Sequence, residues 1–305
     1  MKRFTLLFAV LVAASSIYAN TATLRLNLNK GDEAKYRTEN NQTITQTVQG
    51  TQQVTLQKQV VDYKMVVTEK EANGNVLANI TYTRFFISMN ANGQDFSFDS
   101  DVDKTSQIPT FSGLGAMVGK SFQVKYSTLG EVVEVSGTEA MFENILNELS
   151  AGNEGMKEQM KAMLAESFTG DAMKQMIDGG AIIFPEKAIN VKDSWSSNKT
   201  MKNQVVLNVM STYNVKSIEN GSANITVAST IATPPDSKMK MMGTEMQFTM
   251  FGTQEGNTIV DLKTGLTTES NAKQNLSGSI TANMGGQTLN IPMTIVSEAK
   301  TVIVK

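Results

Sequence analysis

The sequence predicts a mainly β protein of the α+β class, with antiparallel, curved sheets in two related halves and a helical insertion of about three short helices in the middle. Three observations predict this class. Apolar and polar residues alternate with period two along most of the chain, turn signals separate the alternating segments, and one central stretch changes to helical spacing.

The alternation is clearest in TLRLNLN (23–29) and ANITVASTI (223–231). In the first segment, Leu24, Leu26 and Leu28 share one face, and polar residues occupy the other. Such a pattern is typical of antiparallel strands that place one face on a core and leave the other in water.

Turn signals lie between these segments at hairpin spacing. They are Asn73-Gly74, Leu129-Gly130, Asn220-Gly221, Thr264-Gly265 and Gly285-Gly286. Residues 41–59 are strand-like but polar on both faces. We therefore expect them to form a long hairpin that turns near Gly50 and projects into solvent.

The central stretch predicts three helices. Thr138 is placed to cap the first and Asn153 the second. The third runs from Asp171 to Asp178 and ends at a Gly-Gly pair.

These patterns divide the chain into four parts. Residues 1–19 are predicted to be a signal peptide, 20–137 an N-terminal β half, 138–183 the helical segment and 184–305 a C-terminal β half, together one compact or two-lobed unit.

Three pairs of segments echo one another in the same order along the chain, which predicts that the two β halves arose by duplication. The pairs are NKGDEAKY (29–36) with VKDSW (191–195), YKMVVTEKEANGNVLANITY (63–82) with YNVKSIENGSANITV (213–227), and VKYSTLGEVVEVSG (124–137) with IVDLKTGLTTESNA (259–272).

The composition excludes several functions. The chain has no cysteine and no histidine, which removes disulfides, thiolate chemistry, histidine-based nucleophile activation and most zinc or copper(II) sites. The net charge of −2 gives no indication of the basic surface that nucleic-acid-binding proteins need. We expect no enzyme activity and no cofactor.

The first residues indicate export. Lys2 and Arg3 precede an apolar run and small residues that end at Ala19, which is the pattern of a secretory signal peptide. No later run reaches the roughly 18 apolar residues of a spanning helix, so we expect no transmembrane segment after cleavage. The expected location is periplasmic, outer-membrane-associated or secreted.

One acidic run is a weak metal candidate. The spacing of Asp99, Asp101 and Asp103 matches the first three ligand positions of a calcium-binding loop. Such a loop needs glycine at its sixth position and glutamate at its twelfth, where this chain has Lys104 and Thr110. If the strand continued through them, all three carboxylates would share one face. A solvated acidic edge is the favoured interpretation.

The 19 methionines suggest a second candidate site. Methionine is flexible and lines adaptable apolar surfaces, so a cavity between sheet and helices would suit a hydrophobic ligand. The predicted lining residues are Met156, Met160, Met163, Met241, Met246 and Trp195. Ordinary core packing explains the same residues equally well, and Cu(I) binding by Met239, Met241 and Met242 is a further alternative.

The Lys-Asp-Ser-Trp segment after FPEKAINV, together with LGEVVEVSG, resembles a family of exported Gram-negative bacterial proteins of unknown function. The resemblance implies no catalytic residues. The architecture also looks like the half-barrel of periplasmic lipoprotein-carrier proteins. We expect a non-enzymatic envelope binding protein for a hydrophobic or lipid-like ligand; the alternative is a structural module that binds an envelope protein.

Overall fold

The computed structural model describes residues 21–103, 106, 109–150, 152–202, 205–235, 237–241, 244–284 and 287–304. The predicted signal peptide lies outside these residues. The described part contains thirteen strands, four α-helices and a short 3-10 helix, Ala165–Phe168.

The strands are β1 Glu33–Val48, β2 Thr51–Lys70, β3 Val76–Ala91, β4 Gln94–Asp99, β5 Ser121–Tyr126, β6 Val132–Ser136, β7 Ser194–Lys202, β8 Val206–Glu219, β9 Ser222–Ala232, β10 Lys238–Met241, β11 Thr244–Asp261, β12 Thr267–Met284 and β13 Gln287–Val304. The helices are α1 Pro109–Ala116, α2 Thr138–Ser150, α3 Glu154–Leu164 and α4 Gly170–Gly180.

All thirteen strands belong to one curved, open, antiparallel sheet. Its order is β6-β5-β3-β2-β1-β13-β12-β11-β9-β8-β7, with β4 on β3 and β10 on β11 as side strands. The predicted fold class is confirmed. The halves do not form separate sheets, because β1 pairs with β13 from Lys35–Val304 to Gln46–Met293.

The two halves follow the same plan. The order β1-β2-β3-β5-β6 corresponds to β7-β8-β9-β11-β12, and in each half a short side strand, β4 or β10, follows the third strand along the chain. The side strands are equivalent in chain position only, because β4 pairs with β3, the third strand of its half, whereas β10 pairs with β11, the fourth. Each half also shifts register at the corresponding hairpins. The shifts occur at Val67/Glu69 and Val215/Ser217, and at Lys125/Tyr126 and Ile259/Val260.

The turn that opens each half is repeated atom for atom. The Asp32 carboxylate accepts a hydrogen bond from the Asn29 N–H at 2.7 Å, and Asp193 accepts one from the Asn190 N–H at 2.7 Å. A hydrogen bond from an aspartate side chain to a nearby backbone N–H stabilises a tight turn and fixes the direction in which the strand leaves it. The aspartate of each predicted echo therefore marks a strand start, and the feature that the structure repeats is an Asn-x-x-Asp turn in which the lysines are not equivalent.

The hairpin that closes each repeat depends on glycine. Gly130 and Gly265 have φ of 80° and 75°, in the left-handed region that favours glycine. A side chain at Gly265 would also overlap the carbonyl oxygen of Arg25, and one at Gly130 would lie 3.1 Å from that of Ile182. Each loop thus packs closely on the segment that leads into a half.

The prediction of a projecting hairpin at residues 41–59 is wrong in one respect. The turn lies at Gln49-Gly50, as expected, but β1 pairs with β13 as far as Gln46, and β2 pairs with β3 from Thr55. Only the tip, after Gln46 and before Thr55, pairs with neither β13 nor β3. The segment is polar on both faces although it lies in the middle of the sheet.

The helices lie on one face of the sheet, which we call the inner face. Met141 and Ile145 of α2 and Met173 of α4 pack against inner-face residues such as Val67 and Val124. A second cluster contains Phe184 and Ile225 of the C-terminal half together with Leu24 from the N-terminal half. The described part therefore has separate apolar clusters, and this one joins residues of both halves.

Helix α1 and the predicted cap at Thr138 differ from expectation, whereas the predicted cap at Asn153 is confirmed. α1 was not predicted, since its sequence PTFSGLGA contains two glycines. Asn153 caps α3 as predicted, accepting from the Met156 N–H at 3.0 Å. The Thr138 hydroxyl, in contrast, is buried with no hydrogen-bond partner among the described residues.

We expect Gly278→Ala to destabilise the protein. A methyl group at Gly278 would overlap the Thr249 carbonyl oxygen of the neighbouring strand β11. Overpacking of this kind costs about 1–3 kcal/mol, measured as the free energy of unfolding in urea. Gly180→Ala is the matched control, because a methyl there meets no atom within 4 Å. Equal stability of the two variants would contradict the packing of β11 on β12.

Candidate functional site

A cavity of about 450 Å³ lies between the inner face and α4. Both halves of the sheet contribute to it. We call it the tyrosine cavity, and it is lined by Leu26, Tyr36, Thr38, Tyr63, Met65, Ile80, Tyr82, Phe122, Tyr126, Gly130, Ile177, Gly180, Ala181, Ile182, Phe184, Thr258, Gly265, Leu266, Thr267, Ser270 and Thr301.

Strand register assembles the aromatic wall. Tyr36 pairs with Tyr63 across β1 and β2, and Tyr63 pairs with Tyr82 across β2 and β3. The rings of Tyr36 and Tyr63 stack with centroids 5.2 Å apart, and Tyr82 lies 5.8 Å from Phe122. Such aromatic pairs add stability beyond the area they bury.

Four tyrosines line the cavity. None of their hydroxyls has a hydrogen-bond partner in the described part of the chain. Burial raises the pKa of Tyr63 and of Tyr82 to about 12. It also raises the pKa of Tyr36 and of Tyr126 above the usual range. All four phenols therefore remain protonated donors at neutral pH.

The opposite wall comes from β1, β11, β12 and β13 and carries smaller hydroxyls. Thr38 and Thr301 approach to 3.0 Å between their hydroxyl oxygens, and Thr258 and Ser270 to 3.1 Å. These pairs satisfy one another across the strands. None of the described lining residues is charged.

Helix α4 forms the roof and bridges the two free edges of the sheet. The Lys174 ammonium donates to the Val133 carbonyl of edge strand β6 at 2.9 Å. On the other side, Lys199 of edge strand β7 donates to the Asp178 and Ala181 carbonyls at the end of α4. A cation at a helix C-terminus is favourable, although burial lowers the pKa of Lys199.

The predicted lining residues whose side chains are described do not border the cavity. Met156 on α3 is 48% exposed, Met160 is partly buried, and Met246 is buried in β11. None of these three borders the cavity. The side chains of Met163, Met239 and Met241 lie outside the described part, as does Met242. The structure places α4 over the cavity, where the sequence pattern had favoured α3.

Trp195 holds a wall of the cavity in place without lining it. Its indole N–H donates to the Ile183 carbonyl at 2.8 Å, and its ring stacks on Tyr213 with centroids 5.2 Å apart. The neighbouring Ile182 and Phe184 do line the cavity. The Trp195 side chain therefore positions this segment against β7.

The three aspartates do not share one face, and two of them, Asp99 and Asp101, contact Arg84. Strand β4 ends at Asp99, where the chain turns, so Asp101 and Asp103 no longer alternate with it. Arg84 donates two hydrogen bonds to Asp99, at 2.9 and 2.6 Å, and lowers the pKa of that carboxyl. Asp103 accepts from the Asp99 N–H at 2.8 Å. Among the described residues, no cluster of three acidic, His or Cys side chains could hold a metal ion.

Sequence reasoning missed the tyrosines, although a signal was present. Four of the six tyrosines lie between residues 36 and 126, on the apolar phase of successive strands. A tyrosine there is normally a core residue with its hydroxyl at the edge. Only the pairing of β1, β2 and β3 brings Tyr36, Tyr63 and Tyr82 into one row, and Tyr126 joins them from β5, which pairs with β3.

We expect the free energy of unfolding to fall as the pH rises from 10 to about 12. The folded protein raises the pKa of its buried phenols above the ordinary value of 10.0, so the unfolded chain loses these protons first. The loss is up to about 1.4 kcal/mol per pH unit for each such tyrosine. Urea unfolding between pH 8 and 12 should show a shallower decline for Tyr63→Phe. Identical slopes would contradict the burial of Tyr63.

We expect Lys199→Met to loosen α4. The change leaves the Asp178 and Ala181 carbonyls without their donor. Amide hydrogens of α4 should then exchange roughly 5- to 30-fold faster, as for the loss of one or two buried hydrogen bonds. Lys161→Met is the control, because that lysine makes an exposed pair with Glu143. Unchanged exchange in α4 would refute the bridging role of Lys199.

No helix in the described part is long and apolar enough to cross a membrane.

Comparison with known proteins found several solved structures with some similarity and one matching family. Curated proteins gave no match. Solved structures with similarity include lipovitellin (TM-score 0.48, 8% identity, 91% of this chain but only 25% of that chain), Pseudomonas aeruginosa OccK5 (OpdH) (0.23, 6%, 90% and 99%) and the COG4313 outer membrane channel from Pseudomonas putida F1 (0.26, 9%, 91% and 97%).

The model of one family matches residues 73–267, which run from the turn after β2 to the start of β12. That is more than half of the 305 residues. The chain therefore belongs to the family of unknown function DUF6263.

Proposed function

We propose that this protein binds a hydrophobic, lipid-like ligand in the tyrosine cavity and performs no catalysis. The observation that carries the proposal is the cavity itself. Its volume of about 450 Å³ falls within the roughly 300–1,000 Å³ of small-molecule sites. Aromatic and aliphatic side chains with a few hydroxyl groups are also the usual lining of such sites.

The chemistry of the lining supports binding over catalysis. Among the described lining residues there is no carboxylate, ammonium or guanidinium group to act as acid, base or nucleophile activator. The hydroxyls of Thr258 and Ser270 contact one another and no base. A site of this composition can enclose a ligand, but it lacks the groups that activate one.

We further propose that the protein acts after export, in the periplasm, at the outer membrane or outside the cell. Support comes from the basic start, apolar run and small residues of positions 1–19. An apolar ligand needs a carrier in an aqueous compartment because free transfer into water is unfavourable.

We expect the purified protein to bind N-phenyl-1-naphthylamine, an uncharged apolar fluorophore, and Gly180→Trp to weaken that binding at least tenfold. Gly180 lines the cavity, and a side chain begun there meets no atom within 4 Å, so the protein should fold with the cavity obstructed. The measurement is a fluorescence titration.

Met156→Trp is the matched control. It adds the same side chain to an exposed site on α3 that does not border the cavity, so its affinity should equal that of the wild type. The proposal fails if the wild type does not bind the probe, or if Gly180→Trp binds it as tightly as Met156→Trp does.

A further inference from the structure

We infer that the ligand is an uncharged molecule with a hydrogen-bond-accepting oxygen, such as an ester, at the end that meets the tyrosine wall. This inference rests on the proposed function and specifies its ligand class. It excludes fatty-acid carboxylates and phosphate-bearing lipids whose charged group would lie inside the cavity.

The first argument concerns unpaired donors. The hydroxyls of four tyrosines have no hydrogen-bond partner among the described residues: Tyr36, Tyr63, Tyr82 and Tyr126. The fully buried side-chain polar atoms that lack a partner belong instead to Asn40, Thr138 and Asn224. The four phenols therefore border open space. Donors in such a place favour a ligand that supplies acceptors.

The second argument concerns orientation. On the opposite wall, four hydroxyls contact one another in the pairs Thr38–Thr301 and Thr258–Ser270, and among the described lining residues there Thr267 alone has a hydroxyl outside such a pair. The unpaired donors thus concentrate on the wall from β1, β2, β3 and β5. A ligand with one polar end would place that end against the tyrosines and its chain beneath α4, near Ile177.

The third argument concerns charge. The described lining has no cationic side chain, and a buried anion without a counter-charge is strongly disfavoured. The nearby Lys199 ammonium is engaged by the end of α4 and by the Asp178 carboxylate at 3.5 Å. It is not among the lining residues. A neutral acceptor loses far less hydration than a carboxylate when it enters the cavity.

The test compares three ligands of equal chain length with the full protein at pH 8: methyl dodecanoate, dodecanoate and dodecane. We expect the ester to bind at least tenfold more tightly than the carboxylate. The double variant Tyr63→Phe/Tyr126→Phe should weaken ester binding roughly three- to tenfold per hydroxyl removed, and leave dodecane binding unchanged. Because the rings remain, the cavity keeps its shape.

Tyr213→Phe is the control, since that hydroxyl lies 3.3 Å from the Ser197 hydroxyl and outside the cavity lining. Equal affinity for dodecanoate and the ester would overturn the inference, and so would an unchanged ester affinity in the double variant. In either case the proposed function stands if dodecane still binds. If none of the three ligands binds, the proposed function fails together with the inference.

Discussion

The pairing of β1 with β13 is the interaction on which the rest of the structure depends. It joins the first long strand to the last, and Thr38 and Thr301 meet in this ladder although they are 263 residues apart. Without it each repeat would end in an exposed edge, which is prone to aggregation. With it, two related halves become one sheet, and inner-face residues of both halves come to lie side by side. Closing so long a loop costs entropy, which the twelve backbone pairs and the packing of the inner face offset together.

The remaining features follow from that pairing. Joining the halves through β1 and β13 leaves β6 and β7 as the free edges, and α4 contacts both of them through Lys174 and Lys199. The helix thereby covers the space that neither core fills. One wall of this space carries unpaired phenols, and four of the hydroxyls on the other contact one another in pairs. The two halves share a common plan, but every tyrosine that lines the cavity comes from the N-terminal half, so the two walls of the cavity differ in chemistry.

Local structure could be predicted from the sequence because its causes are local. Alternation indicated the strands, Asn153 marked its helix cap, and the echo around Asp32 and Asp193 marked two equivalent turns. The cavity could not be predicted, because it requires non-local pairing that no spacing encodes. The same limitation explains the error at residues 41–59. Their polarity suggested a solvent-exposed hairpin, whereas β13 and β3 flank it. The methionine spacing favoured α3 as the helix that lines the cavity. This prediction failed for Met156 and Met160 because periodicity indicates which face of a helix is apolar but not what that face contacts.

The most direct measurement is to map where an apolar, uncharged, diazirine-bearing probe attaches to the intact protein by peptide mass spectrometry. If the ligand lies across the junction of the halves, labelled peptides will come from both sides of the β1–β13 ladder, around Tyr36 and Tyr63 and around Ser270 and Thr301, and from α4. Labelling confined to one half, or concentrated on α3 or the outer face of the sheet, would contradict the account.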